Sequence, residues 1–141
     1  MAKLKHVALC IKDARGTAAF FKKFFEMTVV EQADTAEYAY AFLTDGDMDL
    51  ALLQFKTEEL ARKAGVESGR DYVGVHHIGF LVDDPRAMYR RLKEGGAEIP
   101  LPLGAMTGPG VYFDFKVRDP NGILIDVGHG WPGAKPSGSV R

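Results

Sequence analysis

Apolar and polar or small residues alternate along residues 6–13 (His6-Val7-Ala8-Leu9-Cys10-Ile11-Lys12-Asp13). They do so again along 77–84 (His77-Ile78-Gly79-Phe80-Leu81-Val82-Asp83-Asp84). A period of two predicts a strand in each segment, and the two segments align without a gap, which marks an internal repeat. Each ends at an Asp suited to cap a helix, Asp13 or Asp84, with Pro85 fitting the first helical turn. Ala14, Ala18, Phe21 and Phe25 then recur at helical spacing as one apolar face. In the second copy Met88 and Leu92 turn inward, Arg90, Arg91 and Lys93 turn outward, and Gly95-Gly96 forms a stop.

Further strands are predicted at 27–31, 37–43 and 48–54 in the first half, and at 98–100, 111–117 and 123–128 in the second. The last two are joined by Arg118-Asp119-Pro120-Asn121-Gly122, whose Pro-Asn-Gly suits a tight turn. The class is therefore α+β, with two tandem βαβββ modules at 1–55 and 75–129. A connector at 56–74 holds one short helix (57–65). Residues 101–110, rich in Pro and Gly, read as a mobile loop, and 130–141 as a loose or docked tail.

Composition narrows the chemistry. The 141 residues fit one compact domain, with 46% apolar and 26% charged residues, and a net charge of -1 argues against non-specific nucleic-acid binding. No stretch approaches the ~20 apolar residues of a membrane span, and no signal-type apolar region follows the basic start, so a cytoplasmic protein is expected. A lone Cys10 excludes an intramolecular disulfide and a Cys-based zinc cluster. Any metal site falls to His and carboxylates.

The two βαβββ units, a His on the first strand of each, and a last strand reading Pro120-Asn121-Gly122-x-x-Ile125-Asp126 resemble the vicinal oxygen chelate superfamily. That superfamily includes glyoxalase I, methylmalonyl-CoA epimerase, extradiol dioxygenases, and bleomycin and fosfomycin resistance proteins. The resemblance covers residues 3–129. It implies two half-barrels around a cavity, with metal ligands on the first and last strands of each unit: here His6, His77 and Asp126. The matching position of the first half falls on Ala51, which cannot bind a metal, and Asp126 replaces the usual Glu.

Strand parity agrees with this placement. His6, Ala8 and Cys10 share the inward face of the first strand, while Val7, Leu9 and Ile11 pack outward on helices. On the last strand Leu124, Asp126 and Gly128 oppose Ile123, Ile125 and Val127. Between them, Tyr112, Asp114 and Lys116 oppose Val111, Phe113, Phe115 and Val117. Polar groups gathered on one interior face are costly unless paired or used.

Two imidazoles and one carboxylate suit a divalent cation with open positions for substrate oxygens, water or dioxygen. Fe(II) is favoured, and Zn, Ni or Mn is compatible. The resemblance implies a metal-dependent enzyme acting on a small vicinal-oxygen substrate. The three-ligand count is that of an extradiol dioxygenase. A glyoxalase I-like lyase or isomerase remains open if the place of Ala51 is filled otherwise. Gln54 has the wrong parity, and Asp49 has the right one but sits about 6–7 Å along the strand. A metal-free ligand-binding protein of the bleomycin-resistance type is the third alternative. Lys116 and Tyr112 are the candidate catalytic residues. Lys116 would hold an anionic substrate or act as an acid, or would pair with Asp114; Tyr112 would supply a hydroxyl. Tyr38 and Tyr40 supply walls, Cys10 a buried filler. His76 is expected on the opposite sheet face from His77, and His129 at the surface. The resemblance also implies a homodimer with a small-molecule partner.

Overall fold

The computed structural model of the chain describes residues 1–135. The first half runs β1 (Lys3–Cys10), α1 (Ala14–Phe25), β2 (Thr28–Asp34), β3 (Tyr38–Thr44) and β4 (Asp49–Phe55). After α2 (Glu58–Lys63), the second half runs β5 (Gly74–Leu81), α3 (Pro85–Glu94), β6 (Phe115–Arg118) and β7 (Leu124–Gly128). One seven-stranded sheet holds all the strands in the order β2-β3-β4-β1-β5-β7-β6, curled but unclosed. The repeat is visible in the pairing. β1 lies parallel to β4 as β5 lies parallel to β7, and antiparallel β1–β5 pairing joins the halves. The fold is α+β, as expected.

The helices start where their caps dictate. Asp13 accepts the Gly16 N–H and Asp84 accepts the Ala87 N–H, with Pro85 in the first turn of α3. α1 covers the outer face of the first half, where Ala18 packs with Leu43, Leu50, Leu52, Val7 and Leu9. α3 covers the outer face of the second half through Met88 and Leu92, against Phe115, Val117 and Val127. Phe25 departs from the predicted apolar stripe. It is the last residue of α1, the chain turns there through Glu26 at φ 56°, and the ring stands 63% exposed. No helix among the described residues is long and apolar enough to cross a membrane.

Two predicted strands need correction. Residues 98–100 form none: Leu101 makes one bridge to Lys116, and Arg118 N–H donates to the Glu98 carbonyl. Pro100 and Pro102 have no N–H with which to continue a ladder. The strand predicted over 111–117 survives only as β6, and before it Tyr112 and Phe113 cross closely over Gly128. A Cβ there would stand 2.8 Å from the Tyr112 carbonyl oxygen. The tail is docked as far as the structure describes it, with Trp131 2% and Ala134 5% exposed; residues 136–141 lie outside the described residues.

Three bulges break the regular alternation. Ala8 pairs with His77 and Leu9 with Val75, so His76 is an extra residue, and Lys5 is another between Leu4 and His6. In β2, Val29 pairs with Leu43 but Glu31 with Phe42, leaving Val30 over. Val29 therefore packs with the α1 group, whereas Ala33 packs with Tyr40 and Phe42 on the other face.

Gly79 lies in register with His6 on one side and Asp126 on the other. A Cβ at this position would meet His6 Cβ, His6 Cδ2 and Trp131 Cζ2, each at 2.9 Å. Gly79→Ala is expected to cost about 1–3 kcal/mol through overpacking. Denaturant unfolding checks this, and an unchanged midpoint would contradict the close approach.

Candidate metal centre

The inner face of the curled sheet encloses a cavity of about 540 Å³ walled by Tyr38, Phe42, Phe55, Tyr112, Phe113 and Trp131. His6, His77 and Asp126 meet in its wall and are 2%, 6% and 2% exposed. Register brings them together. Gly79 places β1 and β7 on either side of β5, and His77 lies two residues along the same face. One donor atom from each of the three residues lies within 4.8 Å of the others. His6 Nε2 is 3.0 Å from His77 Nε2, which is 3.0 Å from Asp126 Oδ2.

The surrounding hydrogen bonds assign the ring protons. Asp49, as a carboxylate, accepts His6 Nδ1–H at 2.7 Å, leaving a lone pair on His6 Nε2. The Ala64 carbonyl accepts His76 Nε2–H at 2.8 Å, so His76 Nδ1 is an acceptor. His77 Nδ1–H donates to it at 2.6 Å, which leaves a lone pair on His77 Nε2 as well. Three electron pairs, two from nitrogen and one from oxygen, thus converge with no proton among them. Adjacent ligands about 2.1 Å from one cation stand about 3 Å apart at right angles, which matches the His6–His77 and His77–Asp126 separations. The residues fit a divalent metal.

Asp49 is therefore not a candidate fourth ligand but the orienting partner of His6, directly opposite it in the β1–β4 ladder. Its Oδ1 also accepts Gly133 N–H at 2.9 Å, and Thr44 donates to the Gly133 carbonyl at 3.0 Å. Trp131 stacks on His6 with centroids 4.7 Å apart and planes 6° apart. Ala51 pairs with Ala8 as Asp126 pairs with Gly79, so Ala51 is the positional counterpart of Asp126.

The remaining candidates fall into place with two corrections. Lys116 pairs with Asp126 rather than Asp114, because it stands directly opposite Asp126 in the β6–β7 ladder. Asp114 leaves the expected face with the irregular 111–114 segment and binds the exposed His129 at 2.8 Å. His76 does not lie on the opposite face, since its bulge turns it to the cavity beside His77. Tyr112 lines the cavity, and its hydroxyl donates to Glu31, which also accepts Tyr40 Oη–H at 3.0 Å. No local sequence pattern marks Glu31, Trp131, or the supporting roles of Asp49 and His76. Only the parity of Asp49 pointed toward the cavity.

These contacts set the protonation states. Burial lowers the His77 pKa to about 3, outweighing the neighbouring Asp126 carboxylate, so the ring is neutral at ordinary pH. Burial opposes ionisation of Asp126, but the Lys116 ammonium beside it outweighs burial and holds the carboxyl below its usual range. With His77 neutral, the Lys116 ammonium is the lasting counter-charge. The hydrogen bond to Glu31 and burial push Tyr112 up to about 12, keeping its phenol protonated, and burial pushes Cys10 up to about 11.

In the metal-free protein, unfolded His77 gains a proton near its ordinary pKa of 6.5, while the folded ring resists until about pH 3. The unfolded state binds more protons across that window, so stability falls as pH drops through it. The slope approaches about 1.4 kcal/mol per pH unit. His76, also lowered by burial, acts in the same direction. Denaturant midpoints of metal-free protein are expected to decline from about pH 6.5 downward, and a flat profile into the carboxylate range would contradict a neutral buried His77.

Comparison with known proteins finds relatives along most of the chain. Lactoylglutathione lyase of Salmonella typhimurium is 27% identical over 128 residues, covering 89% of this chain and 90% of that protein. Ethylmalonyl-CoA/methylmalonyl-CoA epimerase of Cereibacter sphaeroides is 28% identical over 133 residues, covering 90% and 97%. The structure of methylmalonyl-CoA epimerase from Mycobacterium tuberculosis superposes with a TM-score of 0.69 at 20% identity, covering 88% of this chain and 85% of that one. Residues 3–127 match the family profile of this fold, and the chain belongs to the Glyoxalase/Bleomycin resistance protein/Dioxygenase superfamily.

Proposed function

We propose that the chain is a divalent-metal-dependent enzyme that moves a proton beside a carbonyl of a small substrate with neighbouring oxygens, as a lyase, isomerase or epimerase does. The observation carrying this reading is the convergence of unprotonated His6 Nε2, His77 Nε2 and Asp126 Oδ2 in the wall of an aromatic cavity. These three residues would hold the ion. Their donor set is compatible with Fe(II), Zn, Ni or Mn. When bound, such an ion supplies Lewis acidity that favours negative charge on substrate oxygens.

The chain's own residues do the rest. Asp49 and His76 fix the two imidazoles, each through the nitrogen that faces away from the other ring. Phe42, Phe113 and Trp131 give the cavity an apolar, aromatic wall. Tyr112 and Tyr40 hold Glu31, so a carboxylate and a phenol share one proton position at Tyr112 Oη on the cavity wall. Such a pair can accept and return a proton. The names of the Salmonella lyase and the Cereibacter epimerase support this class of chemistry. Among the described residues, the three donors His6, His77 and Asp126 come from one chain.

One observation favours a second reading. Because Ala51 occupies the counterpart of Asp126, the protein offers three donors, as expected for extradiol dioxygenase chemistry with Fe(II).

Protein purified without chelators is expected to carry one divalent ion per chain. His6→Ala should abolish it, and Asp49→Asn should weaken metal affinity about 10–100-fold; elemental analysis and chelator competition check both. Glu31→Gln should lower turnover about 100-fold or more while leaving metal content unchanged. Incorporation of solvent deuterium into methylmalonyl-CoA, or turnover of a hemithioacetal of glutathione, would support proton transfer. Oxygen uptake on a catechol would support the second reading instead. A metal-free protein that still binds aromatic ligands would sink both in favour of ligand sequestration.

A further inference from the structure

Asp126 is a buried carboxylate whose two oxygens face different partners. Oδ2 points toward His77 Nε2 at 3.0 Å, and Oδ1 accepts from the Lys116 ammonium. Register fixes the second contact, since Lys116 stands directly across from Asp126 in the β6–β7 ladder. Cross-strand neighbours are about 5 Å apart at Cβ, less than the reach of an extended lysine, so the stem folds back onto its partner. The Phe113 ring lies 4.0 Å from Nζ and adds a cation–π contact. The nearby Asp114 is taken by His129. Among the described residues, Asp126 is the one ion-pair partner of Lys116.

We propose that Lys116 is the resident counter-cation of this site: it balances Asp126 when no metal is bound and competes with a divalent metal for the same carboxylate. The proposal rests on the metal-site reading above. Its two consequences run in one direction. Without metal, the ammonium spares the fold an unpaired buried carboxylate, which is strongly unfavourable. With metal, two cations share one carboxylate, and their mutual repulsion weakens the hold on the ion. The chain can thus load and release metal without unfolding. A lysine serving only to bind an anionic substrate would leave metal affinity unchanged in the absence of substrate.

The test uses the full chain, stripped of metal and titrated with Ni²⁺ alone, with melting followed with and without Ni²⁺. Lys116→Met is expected to melt below the unsubstituted protein when metal-free. It should bind Ni²⁺ about tenfold tighter or more, since like-charge repulsion is removed, and show the larger rise in Tm on adding Ni²⁺. Lys116→Gln can still donate a neutral hydrogen bond to Asp126. It should melt between the two and also bind Ni²⁺ more tightly, and it decides the matter if Lys116→Met does not fold. Lys116→Arg keeps the charge and should keep the original affinity. Equal or weaker Ni²⁺ binding by Lys116→Gln overturns the proposal while leaving the metal site standing. Absence of Ni²⁺ binding by the unsubstituted chain, or binding that survives His6→Ala, overturns the metal reading and the proposal with it.

Discussion

Three electron pairs aimed at one buried point repel one another until a cation meets them, and the rest of this structure is arranged around that constraint. The Ala64 carbonyl sets the His76 tautomer and through it that of His77, while Asp49 sets that of His6. Both imidazoles consequently turn bare nitrogens inward. Lys116 meets the third donor from behind. A hydrogen-bonded structural histidine pair would have a proton between its facing nitrogens. Here the protons are committed on the far sides of both rings.

The halves meet where this constraint is tightest. Gly79 stands between His6 and Asp126 in the sheet, and its missing side chain leaves room for the His6 ring and the edge of Trp131. Trp131 in turn covers the outer face of His6, and the Gly133 N–H holds the second oxygen of Asp49. The docked segment after β7 thus belongs to the centre as much as the strands do. This is why a stretch of Gly and Pro that resembles a loose tail in composition carries a fully buried tryptophan.

The repeat makes an uneven pair. In the second half the last strand carries Asp126, and in the first half the same ladder position carries Ala51. The first half contributes instead through Asp49, which supports a ligand, and through Glu31, which two tyrosines hold. The two halves share one frame and serve different tasks within it.

Alternation and the repeat gave both repeat helices and their caps from sequence alone, and agreed with the inward placement of His6, His77 and Asp126, and of Ala51 as the counterpart of Asp126, that the family resemblance implied. These features are local: a period of two or 3.6 and a side chain reaching its own backbone need no partner strand to be read. Glu31, His76 and the partner of Lys116 were not legible in this way. The bulges at Val30 and His76 shift parity by one residue, and they exist only in relation to the neighbouring strand. Lys116 pairs with Asp126 because the two stand opposite each other in the β6–β7 ladder, while Asp114 turns to His129, contacts between segments that local pattern does not reveal. The sequence determined which donors face inward. Tertiary register decided which atoms of those donors carry protons and what stands behind them, because that depends on contacts between strands the chain joins only by folding.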